Sequence, residues 1–454
     1  MASKEKDKWE YGDFQTPLPL AVAAMAALRR LGINPKSVLE PTCGKGAFLL
    51  AAIQNFQEVT RFIGVDINKQ YVTELQDQVS NSARRNTIQI LQGDFFLIDW
   101  HALLRDLPQP VLIVGNPPWV TSSELAMLES DNLPKKSNFQ ERRGYDAITG
   151  KSNFDISEWM LLQQLEWLND RLGVIALLCK TAVARKALLH AWKHKLGING
   201  AMMFLVNAQT HFDASVDACF LVIDLLGRSN STDCAVYNDF DSNQPSQCIG
   251  YHDGIVLSNV DYYNKWRHLN GTDTAYTWRS GIKHDCSKVM ELDPAGENYR
   301  NGNGETVSLE DEFVYPMLKS SDIGHGQIRY GRKYMLVTQK YVGEDTATIK
   351  RAAPRTWRYL ETHDGMLEKR ASSIYLNRPK YSIFGVGNYS FSSWKVAISG
   401  FYKHLSFKII EPYKGKVVVL DDTSYFLPCW SESEACFVAR LLNSDSARQF
   451  FESM

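Results

Sequence analysis

The sequence predicts an α/β fold, a doubly wound sheet of seven strands, followed by an α+β domain. Short apolar runs alternate with helix-period segments over the first half of the chain, which is typical of parallel βαβ units. The last two runs, 201–206 and 219–225, have no helix between them, so the sheet is expected to end in an antiparallel hairpin. Beyond residue 250 the alternation stops, and tyrosine, tryptophan and short β-like runs become frequent.

Each element follows from apolar periodicity and from the turn residues that flank it. Helices are predicted at 18–30, 47–55, 68–79, 155–170 and 181–194. Strands are predicted at 38–40, 62–66, 87–96, 111–115, 173–179, 201–206 and 219–225. The segment 120–151 is polar and has no clear period, which is typical of a functional or disordered loop.

A change of composition marks the domain boundary. Between 227 and about 250, serine, asparagine, aspartate and glutamine dominate, which indicates a linker. We therefore expect one domain at 1–228 and a second at 250–454, joined by a linker over about 229–249.

Composition places the chain among ordinary globular proteins. It has 454 residues, of which 44% are hydrophobic and 22% charged, and its formal net charge is -1. The charged start lacks an apolar signal segment, and no apolar run is long enough to span a membrane. The eight cysteines form no C-x-x-C pair, so no zinc or other metal site is expected. These features favour a cytoplasmic protein with reduced thiols.

The apolar run 111–115 ends in Asn116, Pro117, Pro118 and Trp119, which we call the corner. Open α/β sheets bind ligands at the carboxyl ends of their strands. The prolines fix φ and lack an N–H, so the corner offers rigid acceptors in the Asn116 amide and a proline carbonyl. Two acceptors match the two N–H groups of an exocyclic amine, and Trp119 offers a face to a planar ring. The alternative is a rigid strand exit with a buried tryptophan.

Acids stand at three further strand ends. Glu40 precedes a turn with two glycines that differs from the G-x-G-x-x-G dinucleotide fingerprint, which suits a ligand without a pyrophosphate, such as one with an amino-acid tail. Asp66 follows about 20 residues beyond this turn, where a carboxylate accepts hydrogen bonds from a ribose diol. Asp94 is followed by two aromatic residues, a pair that suits the amine and the face of an adenine.

In this order, the motifs resemble those of S-adenosylmethionine-dependent DNA adenine-N6 methyltransferases of the gamma type. They are Phe-Gln-Thr-Pro at 14–17, Glu-Pro-Thr-Cys-Gly-Lys-Gly at 40–46, Asp66, Gly-Asp-Phe-Phe at 93–96 and the corner. Segments 315–323 and 378–387 also resemble the recognition domains of TaqI-like restriction-modification methylases. The resemblance implies a seven-stranded, Rossmann-like methyltransferase sheet followed by a target-recognition domain. Trp119 departs from the pattern, in which tyrosine or phenylalanine is commoner.

The resemblance implies S-adenosylmethionine as the cofactor. The residues that would surround it are Thr16, Glu40, Gly44, Gly46, Asp66, Ile67, Asp94 and Phe95. Thr16 and Glu40 would hold the methionine part, and the glycine turn would let its backbone approach. Asp66 would bind the ribose hydroxyls, and the last three residues would surround the adenine.

For the target base, the resemblance implies that Asn116 and Pro117 accept from adenine N6, with Pro118 completing the corner. Trp119 would stack on one face of the flipped base and Phe212 on the other, although Phe212 also fits an aromatic that plugs the edge of the sheet. A base must leave the duplex for this chemistry. No general base is needed before transfer, so catalysis is mainly in-line positioning.

The C-terminal half carries a local excess of positive charge. Residues 319–416 contain 18 lysines and arginines against 7 acids, a footprint typical of contact with a phosphate backbone. The candidate DNA contacts are Arg355, Arg358, Lys369 and Arg370. We expect double-stranded DNA as the partner of a monomer, and a separate chain for any restriction endonuclease, because no nuclease constellation stands out.

Several alternatives stay open on sequence alone. The same corner could serve cytosine N4, RNA or protein glutamine, although a basic second domain disfavours the last two. A non-catalytic DNA-binding module is disfavoured by the intact corner and cofactor acids. The basic excess could also be a solvated face.

Overall fold

The computed structural model describes residues 15–120, 155–227, 229–271, 275–325, 328–401 and 405–454. The chain divides into two compact units. Unit 1 runs to Asn264 and also includes Ser453–Met454, and unit 2 is Lys265–Glu452. The last residues join unit 1 because the N–H of Ser258 donates to the carbonyl of Ser453 at 2.8 Å.

Unit 1 alternates strands and helices, as the sequence predicts. Its described elements are α1 (Leu18–Arg30), β1 (Ser37–Glu40), α2 (Ala47–Asn55), β2 (Arg61–Asp66), α3 (Lys69–Ser80), β3 (Ile88–Gln92), α4 (Trp100–Arg105), β4 (Val111–Gly115), α5 (Ile156–Trp167), β5 (Gly173–Lys180), α6 (Thr181–His194), β6 (Gly200–Asn207), α7 (Ala208–Phe212), β7 (Asp217–Asp224), β8 (Asp233–Tyr237), β9 (Gln247–His252) and β10 (Ile255–Leu257), with α8 (Val260–Trp266) crossing into unit 2.

The described strands of unit 1 form one sheet in the order β10-β9-β8-β6-β7-β5-β4-β1-β2-β3. Strands β1 to β5 are parallel to one another, and β7 lies antiparallel between β5 and β6. This order confirms the predicted doubly wound sheet and the antiparallel pairing of β6 with β7. The predicted number of strands is wrong, because the sheet has ten described strands instead of seven and continues beyond β6 with β8, β9 and β10. The carboxyl ends of β1 to β6 therefore meet at one edge, which is where the candidate residues lie.

The central strands are apolar on both faces. In β4, Val111 and Ile113 face one hydrophobic core, and Leu112 and Val114 face the other. Helices cover both faces of such a sheet, so its strands appear in sequence as uninterrupted apolar runs. This is why β4 and β5 are predictable from the sequence.

The predicted linker over 229–249 is wrong. This stretch contains β8 and the beginning of β9; β8 pairs parallel with β6, and β9 pairs antiparallel with β8. Only two side chains of β8, Cys234 and Val236, are fully buried, so its apolar signal is short and lies between polar turns. A short helix, α7, also lies between β6 and β7, where none was predicted.

Unit 2 is α+β, as predicted, with two small sheets in the orders β11-β20-β17-β18 and β14-β13-β12-β16-β15-β19. Its strands are β11 (Arg279–Ser280), β12 (Glu291–Ala295), β13 (Asn298–Asn301), β14 (Thr306–Val307), β15 (Val314–Leu318), β16 (Lys333–Leu336), β17 (Trp394–Ser399), β18 (Lys408–Ile410), β19 (Val419–Leu420) and β20 (Ser424–Cys429). Its described helices are α9 (Ser287–Met290), α10 (Ser320–Gly324), α11 (Ile349–Ala352), α12 (Pro354–Thr362), α13 (Asp364–Leu367), α14 (Glu432–Leu442) and α15 (Asp445–Glu452). Within the described ranges, no helix is both long and apolar enough to cross a membrane.

Candidate active site

The corner begins where β4 ends, and β4 lies between the parallel strands β5 and β1. All five residues of β4 are buried. Asn116 and Pro118 are half-buried, and Pro117 and Trp119 are buried. The corner thus lies at the edge that parallel sheets use for ligands. The residues that follow it, 121–154, lie outside the described part of the chain, so the prediction of a functional loop there stays a prediction.

Trp119 and Phe212, which are predicted to lie on the two faces of one flipped base, are close together in the structure. Phe212 ends α7, which follows β6 at the same edge of the sheet. The two ring centroids are 5.3 Å apart with an interplanar angle of 59°, and the exposed fractions are 5% and 7%. A base stacked between two parallel rings needs about 7 Å, twice the usual spacing of carbon atoms in contact. The rings therefore touch each other here, and a base would have to separate them.

The glycine turn after β1 has the conformation that its residues predict. Gly44 and Gly46 have φ of 49° and 78°, a region that L side chains rarely adopt. A Cβ on Gly46 would also lie 2.5 Å from a methyl carbon of Leu75. Gln15, which sequence reasoning did not single out, reaches the turn: its Oε1 accepts from the N–H of Lys45 at 3.1 Å. Thr16 is the next residue and is half-buried.

Two acids flank this turn from neighbouring strands. Glu40 is buried, and its Oε2 accepts from the N–H of Leu49 in the first turn of α2 at 2.9 Å. Burial raises the pKa of Glu40 well above its ordinary value, the Leu49 N–H lowers it, and the charge of Asp66 raises it further. Asp66 accepts from the N–H of Gly44 at 2.7 Å and from that of Asn68 at 2.8 Å. The two acids are therefore held by backbone groups at fixed positions.

The third acid, Asp94, follows β3 and accepts from the N–H of Phe96 at 2.8 Å. Ile67, beside Asp66, is 44% exposed at the same edge. Phe95 lies differently from its predicted role, because its ring is only 6% exposed and packs in the core. The centroids of Trp100 and Trp167 lie 5.2 and 5.4 Å from it. The half-buried Phe96 is the more accessible neighbour, and the doubled phenylalanine gave no means to choose between them.

No protein-family model matches the chain. It is 41% identical over 451 residues to the type II methyltransferase M.NspV of Nostoc sp. (strain ATCC 29411 / PCC 7524), covering 99% of this chain and 93% of that protein. The chain belongs to the type II methyltransferases.

Solved structures show weaker similarity. The type IIL restriction-modification enzyme MmeI, in complex with DNA, has 14% identity and a TM-score of 0.40, with 93% of this chain and 63% of that chain covered. A methyltransferase subunit of a type I restriction-modification system from Streptococcus thermophilus has 15% identity and a TM-score of 0.31, with 49% of this chain and 47% of that chain covered. This chain thus spans less than two thirds of either structure.

As a type II methyltransferase, the protein uses S-adenosylmethionine, which confirms the predicted cofactor. The strand ends of unit 1 suit this molecule. Glu40 and Asp66 are carboxylates of the kind that would accept from its ammonium and hydroxyl groups. At the glycine turn itself, the side chains of Gln15 and Leu75 already lie within 3 Å of where a Cβ on Gly44 or Gly46 would stand. The exposed Ile67 offers an apolar contact for a flat ring.

Two side chains that sequence reasoning missed stand beside the corner. The Nζ of Lys180, the last residue of β5, donates to the carbonyl oxygen of Trp119 at 3.3 Å and to Oδ2 of Asp155 at 2.7 Å. The indole N–H of Trp119 donates to the carbonyl of Leu178 at 3.4 Å. Asp155 and Lys180 are 25 residues apart in the sequence and carry no motif, so only the tertiary structure, in which α5 begins near the end of β5, brings them together.

The basic residues of unit 2 are less available than the sequence count indicates. Several pair with acids that precede residue 319: Lys319 with Glu291 at 2.6 Å, Lys333 with Asp293 at 2.8 Å, Arg355 with Glu310 at 3.1 Å and Lys416 with Asp311 at 2.7 Å. Over the whole of unit 2 there are 26 lysines and arginines against 22 acids, an excess of 4. The predicted excess is therefore largely compensated.

Two of the four candidate DNA contacts are exposed side chains, and the other two are bound to groups of their own unit. Arg358 and Lys369 are exposed. Arg355 is exposed too, but it is bound to Glu310 and Ser308. Arg370 differs from its predicted role: it donates to the carbonyls of Leu367, Ser382 and His284, and its guanidinium lies 3.7 Å from the centroid of a tyrosine ring. Burial lowers the pKa of Arg370, as expected for a structural residue.

Proposed function

We propose that this type II methyltransferase transfers a methyl group from S-adenosylmethionine to the exocyclic N6 of an adenine in duplex DNA. The observation that carries the proposal is the corner at the end of β4, which lies at the same sheet edge as Glu40, Asp66 and Asp94. Amide and proline carbonyl oxygens at a rigid strand end are acceptors for the N–H groups of an amine. A type II methyltransferase binds S-adenosylmethionine, the methyl donor that such an amine needs.

Cofactor binding is assigned to the ends of β1, β2 and β3. Glu40, with Thr16, would hold the methionine part, and Asp66 the ribose hydroxyls, where its backbone partners already fix the carboxylate. Asp94 would accept from the cofactor's adenine amine, and Ile67 would pack on its ring. Phe96 joins Phe95 as a candidate for the other contact to that ring because it is less buried.

Methyl transfer needs the target amine in line with the methyl group. When bound, the cofactor supplies an activated sulfonium, which would leave as a neutral thioether when its S–CH3 bond breaks and the N6–CH3 bond forms. The protein therefore needs no base to begin the reaction, and the methylated amine would lose one proton to water afterwards. The Asn116 Oδ1 and the Pro117 carbonyl would each accept one N–H of N6, which draws the nitrogen lone pair out of the ring and points it at the methyl group. Such preorganised positioning accounts for the catalysis.

The target adenine would be flipped out of the duplex to reach the corner. Trp119 and Phe212 would hold its faces after they separate from their present contact at 5.3 Å. Unit 2 would hold the duplex through exposed basic side chains such as Arg358 and Lys369. We further propose that the protein acts as a monomer and as the modification component of a restriction-modification system, with any endonuclease on a separate chain.

The base can be identified directly. Full-length protein is incubated with duplex DNA and S-adenosylmethionine that carries a deuterated methyl group, and the DNA is digested to nucleosides for mass spectrometry. The proposal expects labelled N6-methyldeoxyadenosine with wild type and a strong loss with Asn116→Ala. Labelled N4-methyldeoxycytidine would replace adenine by cytosine as the target. The absence of any labelled nucleoside from the DNA would overturn the proposal.

A further inference from the structure

Strand β5 forms a rigid support beside the corner. Beyond the pair Gly115–Leu177, β4 ends in the corner while β5 continues to Lys180. This continuation stays paired with β7 on its other side, up to the pair Lys180–Ala218. Because it is held in a ladder and buried almost to its end, the end of β5 has little freedom to move.

Trp119 is hydrogen-bonded to the end of β5 through both its side chain and its backbone. Its indole N–H donates to the carbonyl of Leu178 at 3.4 Å, and its own carbonyl accepts from Lys180 Nζ at 3.3 Å. The prolines of the corner lack the N–H groups that would continue the β4 ladder. At Trp119 these two side-chain hydrogen bonds take the place of backbone pairing, which resumes at Val120, whose carbonyl accepts from the N–H of Ile156 at 3.0 Å.

The ammonium group of Lys180 is itself held in place. Its second partner, Asp155, lies 2.7 Å away, and the side chain of this acid is 8% exposed. The same carboxylate accepts from the N–H of Ser157 at 3.1 Å at the start of α5. A charge-assisted hydrogen bond to a buried, fixed carboxylate is strong and specific in direction. Asp155 thus sets where Lys180 points, and Lys180 sets where the Trp119 carbonyl lies.

We propose that Lys180, oriented by Asp155, is a positioning residue for methyl transfer: it fixes the corner through the Trp119 carbonyl. The inference rests on the proposed function of the corner. Between Pro117 and Trp119 the proline rings fix φ, so few backbone torsions can absorb a movement of the Trp119 carbonyl. Such a movement is therefore passed back to the Pro117 carbonyl and Asn116, the two acceptors for the target amine.

A second ion pair offers a matched control. Lys186 of α6 lies 3.1 Å from Glu158 of α5, and the side chain of Glu158 is 5% exposed. Like Lys180–Asp155, this pair joins a lysine from the β5–α6 region to a buried acid of the α5 region. The described hydrogen bond and ion pair of Lys186 both involve Glu158, so Lys186 has no described polar contact with the corner.

The test compares Lys180→Met, Lys180→Arg and Lys186→Met in the full-length protein. A displacement near 1 Å costs on the order of 10- to 100-fold in rate, so Lys180→Met should lower kcat by that amount while cofactor Kd and KM for DNA stay unchanged. Lys180→Arg keeps the charge and should restore most of kcat. Lys186→Met should match wild type. Equal kcat in Lys180→Met and Lys186→Met would overturn the inference.

Lys180→Met leaves a buried carboxylate without its lysine and could destabilise the fold for that reason. The double variant Lys180→Met with Asp155→Asn removes this charge, and asparagine still caps a helix well. It should unfold at a temperature near that of wild type, keep the low kcat, and show faster hydrogen exchange of the peptide over 115–120. Slow exchange with a wild-type kcat would overturn the inference. If wild type itself transfers no methyl group to DNA, the proposed function fails, and the exchange result still reports whether Lys180 holds the corner.

Discussion

In unit 1 the candidate polar side chains stand at the ends of parallel strands, whereas in unit 2 the candidate basic side chains lie on helices and turns. Glu40 and Asp66 are bound by backbone N–H groups at fixed strand ends. Arg355 is bound to an acid, and Arg370 to three carbonyls of its own unit. A strand end therefore fixes the place of a side chain through topology, while the availability of a surface charge depends on partners that the sequence does not reveal.

The largest expected effect tests the strand-end region at the corner. Asn116→Ala removes one of two acceptors for the target amine, so single-turnover methyl transfer should fall by about 10²–10³. Binding of S-adenosylmethionine, measured by calorimetry, should not change because the cofactor acids lie on other strands. A variant that keeps a rate close to wild type would break the assignment of the corner.

Trp119 tests whether the corner also provides a stacking face. Trp119→Phe keeps a ring and should retain most activity, whereas Trp119→Ala should lose about 1–3 kcal/mol of base stacking. Single-turnover rates at saturating DNA measure the difference, and thermal unfolding of both variants controls for weaker packing against Phe212. Equal rates in the two variants would mean that Trp119 is only a core residue.

The substitution Glu40→Gln tests whether this buried acid at a strand end binds the cofactor while it lowers the stability of the fold. Its folded pKa is raised mainly by burial, so its contribution to stability is greatest below the unfolded pKa and is lost as pH rises through the folded pKa. Glu40→Gln should therefore raise Tm at neutral pH and flatten the fall of Tm with rising pH. Its cofactor Kd should increase about tenfold, because a charge-assisted hydrogen bond becomes a neutral one. A lower Tm with unchanged Kd would contradict this account.

The smallest effect on DNA methylation is expected from the basic residues of unit 2. Their substitution compares the exposed Arg358 and Lys369 with Arg370, which is bound inside the unit. Replacing Arg358 and Lys369 together by alanine should weaken DNA binding and reduce its log-log salt slope by about 0.9 for each phosphate that is no longer neutralised. Arg370→Ala should lower Tm instead, because three carbonyls lose their donor. Affinities across a salt series and thermal unfolding distinguish the two results. An unchanged slope in the double variant would mean that these two side chains only face solvent.

The sequence predicts much of unit 1 because its central strands are buried on both faces. The runs at β4 and β5 are apolar throughout, and the corner follows β4 directly, so its position needs no knowledge of the tertiary structure. β8 was missed because its buried residues are too few and stand between polar turns. The position of Phe95 in the core depends on Trp100 of α4 and on Trp159 and Trp167 of α5, which are distant from it or from each other in sequence.

Pairings across the fold were beyond sequence reasoning. Lys180 meets Asp155 because β5 extends past β4 and α5 begins nearby. Neither residue type is unusual at the end of a strand or the start of a helix, so no local signal marks the pair. The internal partners of Arg370 were hidden for the same reason, since Ser382 and His284 are distant from it in sequence.

The most direct test of the central claim is single-molecule sequencing of genomic DNA from bacteria that express the full chain, with an Asn116→Ala strain as control. The account predicts N6-methyladenine at one recurring sequence in the wild-type strain and none at that sequence in the control. Modification of cytosine in place of adenine, adenine methylation without a common sequence, or the same pattern in both strains would contradict it.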